Sequence, residues 1–311
     1  MQTYYYPDVP DNPQSIVATT GFFDGVHQGH RAVLSKVMAE AARHQKKSCV
    51  ITFWPHPRMV LNKETENLYL LTTLDEKKEQ LAKIGIDLLY IIPFTTDFAQ
   101  LPPDDFFRDY LKEKFNVAKL IVGYDHHFGH NRGADYEEIR KYGSLYGIEV
   151  EKVEASKLDF VNVSSTKIRE AIREGSVTLA NALLGYAYSF TGKVIEGLRL
   201  GTKIGFPTAN IQVSDPLKLL PREGVYAVII TVKGRKHKGM LNIGSNPTIS
   251  DDFRIKIEVN IFDFRENIYG EEVTIEMIEH IRGIEKYDSL DELAVQLKKD
   301  EELSRLILKK F

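Results

Sequence analysis

The sequence predicts a fold of class α/β plus β, in which a doubly wound parallel sheet is followed by an antiparallel β-barrel with a C-terminal helix. The 311 residues exceed one average domain of roughly 100–200 residues. Up to about residue 185, short apolar runs alternate with longer amphipathic stretches, which is the pattern of parallel βαβ units. From there on, β-branched and aromatic runs are separated by glycines, as in antiparallel sheets. We therefore predict one domain over residues 1–185 and a second over residues 186–311.

The elements of the first domain alternate along the chain. The predicted strands are short apolar runs and lie at residues 15–19, 49–53, 88–92 and 119–122. The predicted helices are longer amphipathic stretches and lie near residues 30–45, 74–84, 104–115 and 136–145. Because open α/β sheets bind ligands at the carboxyl ends of their strands, we expect the functional residues in the loops that follow these strands.

The second domain is predicted from runs rich in β-branched and aromatic residues. These runs lie at residues 226–232, 239–243, 254–262 and 272–281, and they favour a small antiparallel barrel. The last segment has Ser289 three residues before Glu292, which is the pattern of a helix capping box. Leu290, Leu293 and Leu297 follow at helical spacing, so we expect a C-terminal helix that packs on the barrel.

The composition excludes several classes of protein. Lysine and arginine number 41 against 44 aspartates and glutamates, a net charge of −3, so the chain is not a polycation built for nucleic acid. With 43% hydrophobic and 27% charged residues it has the composition of a globular protein. The single cysteine, Cys49, excludes an internal disulfide framework, and no apolar run reaches the roughly 18 residues of a membrane span. We expect a cytoplasmic protein without a membrane partner.

The loop after the first predicted strand reads GFFDGVHQGH over residues 21–30 and leads into the first predicted helix. Glycines in such a loop let phosphate oxygens approach backbone N–H groups and the positive end of the helix dipole. Two histidines flank its last glycine and can donate hydrogen bonds into one anion site. A purely structural turn is the alternative, but it does not explain the glycines at both ends of the loop. The candidates are His27 and His30 for catalysis and Gly21, Phe22, Asp24, Gly25 and Gly29 for phosphate binding.

A second candidate anion site lies at residues 163–169, which read VSSTKIR. Ser164, Ser165 and Thr166 can cap a helix, while Lys167 and Arg169 bring positive charge. The two cations are two residues apart, so they share a helix face only if the helix begins among them. The alternative is a capped helix with solvated basic residues.

Two further loops follow predicted strands. His56 stands between Pro55 and Pro57, which present it from a stiff turn, although a histidine between prolines is more often structural. Residues 123–129 read GYDHHFG, and its Asp-His-His run suggests a metal site. Adjacent histidines in a strand point to opposite faces, and no further ligand cluster is evident, so we do not predict zinc there.

The segment at residues 201–210 reads GTKIGFPTAN and places a flexible loop before a rigid Pro-Thr step. Thr208 and Asn210 offer a hydroxyl and an amide oxygen, which are hard ligands suited to Mg²⁺ that bridges phosphates. Lys203 and Gly205 are candidates for phosphate contacts in the same loop. Without further context, threonine and asparagine beside proline would most often form an ordinary turn.

The predicted strand at residues 254–261 alternates between apolar and polar side chains. Its isoleucines and valine lie on one face, and Arg254, Lys256, Glu258 and Asn260 lie on the other. A carboxylate in such a position can act as a general base toward a hydroxyl group. Glu258 is therefore a candidate catalytic residue, and the alternative is a solvated glutamate on an exposed sheet face.

These segments, in this order, resemble a known family over nearly the whole chain. His27-Gln28-Gly29-His30 resembles the nucleotidyltransferase superfamily, which transfers AMP from ATP, and Pro207-Thr208-Ala209-Asn210 resembles the signature of riboflavin kinases. Together with residues 53–57, 123–129 and 163–169, they are similar to the bacterial bifunctional riboflavin kinases and FAD synthetases.

The resemblance implies a Rossmann-like nucleotidyltransferase domain and a riboflavin kinase domain. It implies that the small molecules riboflavin, FMN and ATP bind, that Mg²⁺ assists, and that FMN and then FAD are the products. Residues 164–169 would meet the leaving pyrophosphate, and Glu258 would be the base of the kinase. Possible flavin contacts are His56, Asp125, Phe128 and Asn246.

The chain departs from the family pattern at Thr202, His126, His127 and Asn260. These departures leave open an enzyme of the same fold in which only one site works. A second alternative is a flavin-binding regulator without turnover, but a mere binder has no use for a base and two sites for leaving groups.

Overall fold

The computed structural model describes residues 1–61, 69–123, 135–153, 163–197, 201, 205–245 and 255–311. The chain forms two compact units, Met1–Ser164 and Ser165–Phe311. The helices between residues 165 and 184 thus belong to the second unit. The assignment of residues 1–185 and 186–311 to separate activities stays a prediction.

In the part of the chain that the structure describes, the first unit contains a six-stranded sheet whose neighbouring strands are all parallel. The strands are β1 Gln2–Tyr5, β2 Ile16–Thr20, β3 Lys47–Trp54, β4 Leu88–Pro93, β5 Val117–Val122 and β6 Glu149–Lys152. Their order in the sheet is β1-β4-β3-β2-β5-β6, so the predicted doubly wound sheet is confirmed. The order reverses direction between β2 and β5, and open sheets of this kind bind ligands beside that reversal.

Helices flank this sheet. They are α1 Gln28–Arg43, α2 Pro57–Val60, α3 Leu74–Ile84, α4 Thr96–Ala99, α5 Pro103–Asp105 and α6 Tyr136–Leu145. The predicted limits of α3 and α6 are correct because both helices start at local capping boxes. Thr73 caps α3 together with Glu76, and Asp135 caps α6 together with Glu138.

The helix predicted at residues 104–115 differs from an α-helix over most of its length. After α5 the chain continues as a π-helix over Phe106–Lys114. Its wider turn buries Phe106, Phe107 and Leu111 against the sheet, and the Phe106 ring stacks on Tyr110 with centroids 5.4 Å apart. Aromatic packing in the core therefore overrides the ordinary helical period here.

The second unit contains a closed barrel with antiparallel neighbours, as predicted. In the described residues its strands are β7 Ser189–Ile195, β8 Ala209–Val213, β9 Gly224–Val232, β10 Arg235–Ser245, β11 Ile255–Ile261 and β12 Glu272–Arg282. They are arranged in the order β10-β11-β8-β7-β12-β9. The described helices of this unit are α7 Ser165–Arg173, α8 Val177–Leu184 and α9 Leu290–Ile307.

The C-terminal helix α9 packs on the barrel as predicted, and Leu297 contacts an apolar cluster of the barrel strands. Leu290 is 63% exposed, whereas the polar side chains of Asp300 and Ser304 are buried. The Asp300 carboxylate accepts a bidentate pair of hydrogen bonds from Arg282 of β12, from Nε to Oδ1 at 3.1 Å and from Nη2 to Oδ2 at 2.7 Å. A buried ion pair therefore takes part in holding this helix. Within the described ranges, no helix is both long enough and apolar enough to span a bilayer.

Candidate active sites

The loop at residues 21–27, called the phosphate loop below, follows β2 at the point where the strand order reverses. Phe23, Gly25 and Val26 have φ angles of 49°, 83° and 37°, so the backbone of three loop residues is in the left-handed region. A left-handed φ costs a β-branched residue about 1–3 kcal/mol. Phe23 and Val26 are buried in a cluster of apolar residues from the sheet and α3, and this packing holds the loop in its sharp turn.

Asp24 ties the phosphate loop to the segment that precedes α3. Its buried carboxylate accepts hydrogen bonds of 3.1 Å from the backbone N–H groups of Leu71 and Thr72. The N–H of Gly25 in turn donates to Thr72 Oγ1 at 3.0 Å. Asp24, predicted as a nucleotide contact, therefore has a clear architectural role, and its contact with nucleotide stays a prediction. At the start of the loop, Gly21 donates to the carbonyl of Ile51 at 3.1 Å.

His27 is the N-cap of α1, and its Nδ1 accepts a hydrogen bond of 3.3 Å from the backbone N–H of His30. An acceptor nitrogen carries no proton, so the neutral ring of His27 holds its proton on Nε2. The cap thus fixes the tautomer and leaves Nε2–H as the donor of this ring. Gly29 lies beside the ring, because a Cβ there would be 3.3 Å from the His27 Nδ1.

His30 stacks on His27 with ring centroids 3.6 Å apart and meets the edge of Phe23 at 5.1 Å. Burial lowers the pKa of His30 well below its usual value, and His27 and Lys77 lower it further. His30 is therefore a neutral imidazole at pH 7. Its Nδ1 is buried and has no hydrogen-bond partner in the described part of the chain. The structure brings both predicted histidines together at the phosphate loop.

Phe22 and His56 lie together at the same edge of the sheet. Their ring centroids are 5.3 Å apart, and Phe22 also contacts Phe53 and Phe94 at 5.3 and 6.1 Å. His56 follows β3, as predicted. Aromatic rings in such a group present flat apolar surfaces, which suit a planar ligand.

The second predicted anion segment forms the start of α7. The helix begins at Ser165, as expected for a segment capped by hydroxyl side chains. Ile168 is buried, Thr166 and Lys167 are exposed, and Arg169 is half-buried. Both cations stand in the first turns of this helix. Ser164, the remaining residue of the segment, ends the first unit.

The two predicted metal ligands of the barrel, Asn210 and Thr208, both lie close to glycine residues. Asn210 is buried and packs flat on Gly197, where an added Cβ would lie 2.5 Å from the Asn210 Cγ. Thr208 lies beside Gly201 in the same way, with its Oγ1 3.5 Å from a Cβ at that position. Both oxygen-bearing side chains thus lie against glycine backbone, where a larger residue would leave them less space.

Glu258 pairs with Asn210 of β8 and with Asn242 of β10 in the barrel ladder. Directly paired residues of antiparallel strands point to the same face, so these polar side chains share one face. The Glu258 carboxylate forms an ion pair of 2.8 Å with Lys256 Nζ. Since Lys256 and Glu258 are two residues apart, this contact supports the predicted alternation of the strand.

Asn260 positions the turn that carries Thr208. Its Nδ2 donates a hydrogen bond of 2.7 Å to the carbonyl of Pro207, and its side chain is buried. The sequence singled it out only as a departure from the family pattern. Gly205, in the same turn, has a φ of 84° and is exposed. Lys203, Asp125, Phe128 and Asn246 lie outside the described residues, as do the departures Thr202, His126 and His127.

Lys77 was missed by sequence reasoning. It lies on α3, is only 3% exposed, and exerts its charge on Asp24 and His30. Neighbouring Lys78 has the same chemistry and pairs with Asp75 at the surface. Helical spacing is the signal that could have found Lys77, because Lys77 lies three residues after Leu74, four before Leu81 and seven before Ile84, on the apolar face.

The parallel sheet with its phosphate loop and the barrel with its hydroxyl, amide and carboxylate groups are typical of an enzyme with two candidate sites for phosphate chemistry. Comparisons with known proteins agree with this class. The sequence model of the family described as FAD synthetase matches residues 9–167, and the model described as riboflavin kinase matches residues 184–308.

Full-length relatives carry both parts in one chain. A bifunctional riboflavin kinase/FMN adenylyltransferase of Listeria monocytogenes is 40% identical over 100% of this chain and 99% of its own length. The protein of that name from Bacillus subtilis is 36% identical over 92% of this chain and 90% of its own. A crystal structure from Streptococcus pneumoniae, described as a macrolide-efflux protein, has 33% identity and a TM-score of 0.87, with 97% of this chain and 98% of that chain covered.

The chain belongs to the family of bifunctional riboflavin kinase/FMN adenylyltransferases. It is an enzyme of FAD biosynthesis with both activities, and it uses ATP to make FMN from riboflavin and FAD from FMN.

Proposed function

We propose that residues 1–185 transfer AMP to FMN and that residues 186–311 phosphorylate riboflavin. The two family matches, at residues 9–167 and 184–308, support this division. The observation that carries the first assignment is the phosphate loop with its stacked histidine pair at the strand reversal of the parallel sheet. The second assignment rests on the shared face of Asn210 and Glu258 in the barrel.

In AMP transfer, a phosphate oxygen of FMN attacks the α-phosphorus of ATP, and the bond to the β-phosphate oxygen breaks as pyrophosphate leaves. The nucleophile is already an anion, so the site needs positioning and charge stabilisation rather than a base. His27 donates from Nε2, the tautomer that its capping bond imposes, and His30 donates as a neutral ring. Gly21, Phe22, Asp24, Gly25 and Gly29 shape the loop around the phosphates.

We assign the leaving pyrophosphate to residues 164–169. The start of α7 offers the positive end of a helix dipole, and Ser164, Ser165 and Thr166 add hydroxyl donors. Lys167 and Arg169 add two cations. A leaving group of high negative charge is stabilised by this combination.

In the kinase reaction, we assign the role of base to Glu258. It takes the proton of the terminal ribityl hydroxyl of riboflavin as that oxygen attacks the γ-phosphorus of ATP, and ADP leaves. Its ion pair with Lys256 orients the carboxylate on the polar face of β11. Lys203 and Gly205 are the proposed phosphate contacts of the neighbouring loop.

The donor set around Asn210 fits Mg²⁺. No group of three or more histidine, cysteine or carboxylate side chains suited to a metal occurs in the described ranges. Thr208 and Asn210 provide two hard oxygens against glycine backbone, which matches an ion held mainly by phosphates and water. When bound, Mg²⁺ would neutralise charge on the ATP phosphates.

We propose that flavin contacts come from His56, Asp125, Phe128 and Asn246. The aromatic group around His56 supports the first of these. We also propose a cytoplasmic enzyme that acts on small molecules and needs no nucleic acid. Cys49, the single cysteine, is fully buried, and burial raises the pKa of its thiol well above the usual value, which suits an inert core residue in a reducing compartment.

Product analysis tests this proposal. The protein is mixed with riboflavin, ATP and Mg²⁺, and the flavins and nucleotides are separated by chromatography over time. FMN should appear first and FAD second, with ADP and pyrophosphate as co-products. Unchanged riboflavin under both oxidising and reducing conditions, with tight flavin binding, would instead support the binding-protein alternative. Conversion that stops at FMN would show that only the kinase site works.

A further inference from the structure

Lys77 is a buried lysine that neither of the two reactions above uses. Lysine is among the residue types that are almost never fully buried unless they are paired. Lys77 is 3% exposed, and in the described part of the chain its Nζ has neither an ion pair nor a hydrogen bond. Its short-range contact is with the Trp54 ring, whose centroid is 5.7 Å from the Nζ. Burying an ammonium group in this way is costly, so its presence calls for a reason.

The position of the Trp54 ring places this ammonium at the carboxyl edge of the sheet. Trp54 is the last residue of β3, and β3 pairs with β2, whose end leads into the phosphate loop. The backbone N–H of Gly21 reaches across to Ile51 of β3, three residues before Trp54. The Lys77 Nζ therefore lies on the side of the sheet where the loop begins.

The segment that leads into the helix of Lys77 is hydrogen-bonded to the phosphate loop. Leu71 and Thr72, just before α3, donate to the Asp24 carboxylate, and Thr72 accepts from Gly25. The charge of Asp24 acts on Lys77, and the charge of Lys77 acts on His30. His27, Phe23 and Lys77 act on His30, and among these three Lys77 is the lysine cation. Burial lowers the pKa of Lys77 to about 8, so most of this ammonium is charged at pH 7.

We propose that Lys77 is a positioning residue for AMP transfer, whose buried ammonium supplies, from beside the phosphate loop, positive charge that favours binding of the ATP phosphates at His27 and His30. The inference rests on the proposed function, because it takes those histidines as the groups that meet the phosphates. A charge in a poorly solvated setting acts over a longer distance than one in water, so direct contact with the phosphates is not required.

The ligand class follows from the sign and the amount of charge. The charged groups near the loop include the Lys77 ammonium, the Arg31 guanidinium and the carboxylates of Asp24 and Glu76. The Asp24 oxygens already accept hydrogen bonds from backbone N–H groups. A polyphosphate brings several negative charges, whereas an uncharged ligand would gain nothing from the ammonium. Burial, His27 and then the Lys77 ammonium lower the pKa of His30, so its neutral ring can serve as a hydrogen-bond donor without a second buried positive charge.

The experiment compares three variants of the full chain. Lys77→Met keeps the length and the apolar stem of the side chain and removes its charge, and Lys77→Arg keeps the charge. Lys78→Met is the matched control, because Lys78 is the next residue on the same helix and pairs with Asp75 at the surface. FMN adenylylation is measured by pyrophosphate release with ATP and FMN varied separately.

We expect Lys77→Met to lower kcat/KM for ATP by about 10-fold to 10²-fold, with a smaller change in KM for FMN. Lys77→Arg should recover most of the loss, and Lys78→Met should stay within about twofold of the parent. Titration of isotope-labelled His30 by NMR should show that its pKa rises in Lys77→Met and stays close to the parent value in Lys77→Arg, a contrast that follows the charge of residue 77.

Three results would overturn the proposal. The first is unchanged adenylylation in Lys77→Met. The second is an equal loss in Lys77→Arg together with a lower melting temperature, since that outcome assigns Lys77 a structural role. The third is an unchanged titration of His30. A His27→Ala/His30→Ala variant separates this failure from that of the proposed function, because full activity in that variant would remove the histidines from the reaction whatever Lys77 does.

Discussion

The two candidate sites of this enzyme hold their phosphate-binding turns by different means. The phosphate loop depends on its backbone, because left-handed residues are locked by burial of Phe23 and Val26 and by the contacts of Asp24. The turn that carries Thr208 depends on a side chain, because Asn260 holds the Pro207 carbonyl from another strand. The conformation of the first turn is held by several contacts, so we expect the loss of one contact to change it little. The second turn depends on one hydrogen bond, so we expect it to shift when that bond is lost. The turn of the second site should therefore be the more sensitive of the two to loss of a single supporting side chain.

The largest effect is expected from Glu258→Gln, which keeps the shape of the side chain but removes its ability to take a proton. Riboflavin phosphorylation should fall by roughly 10²–10⁴. FMN supplied directly should still become FAD at close to the parent rate, because adenylylation depends on the other site. Separate assays with riboflavin and with FMN check both statements. Retained kinase activity would contradict the base assignment, and parallel loss of both activities in a folded protein would contradict the independence of the sites.

The next effect is expected from His27→Ala/His30→Ala. Loss of one donor of this kind typically lowers a rate by about 10²–10³, so FMN should accumulate while riboflavin is still phosphorylated. Chromatography of the flavins after incubation with riboflavin and ATP measures this. Since His27 also caps α1, His27→Asn serves as a control that retains a capping side chain. Undiminished FAD formation in the double variant would show that the histidines are structural.

A smaller effect is expected from Asn260→Leu, which tests the support of the barrel turn. The Pro207 carbonyl loses its hydrogen-bond donor. A hydrogen bond of this kind contributes about 0.5–1.5 kcal/mol to the stability of the folded state. Riboflavin kinase activity should fall by roughly tenfold, with a higher demand for Mg²⁺, and adenylylation should not change. Asn260→Gln offers an amide again and is the matched control. If kinase kinetics in the leucine variant equal those of the parent, the contrast drawn between the two sites is wrong.

The smallest effect concerns acid stability of the first unit. Glu40 is buried on α1, where Lys119, then Lys36 and Arg43, hold the pKa of its carboxyl well below the usual range. A lowered pKa contributes stability that is present above the unfolded value of about 4.3 and is lost as the pH falls toward the folded value. The protection of β5 amides against hydrogen exchange, relative to the intrinsic exchange rate at each pH, should thus fall as the pH drops below about 4.5. In Glu40→Gln the protection of these amides should depend less on pH. An equally steep dependence in that variant would contradict the role assigned to Glu40.

Helix limits were predictable where their signals are local. The capping boxes of α3 and α6 lie within four residues of chain, so short-range hydrogen bonds set both helix starts. β7 was not predicted, because Gly192 interrupts its pattern. In the barrel that glycine is required by close packing, since an added Cβ would lie 2.5 Å from Ile211 Cγ2 of β8. The π-helix over Phe106–Lys114 was also not predicted, because aromatic packing on the sheet decides its period.

The sequence by itself determined the order of the motifs, the two fold classes, and the candidate catalytic groups His27, His30 and Glu258, because these depend on residue type and near-neighbour spacing. Only the tertiary structure decided how completely Lys77 is buried and what surrounds its ammonium, and which amide supports the kinase turn. Lys77 and Lys78 are the same residue type in one helix, and Asn260 lies 53 residues from Pro207. Complete burial and long-range hydrogen bonds arise only when distant segments meet, so a local pattern holds no record of them.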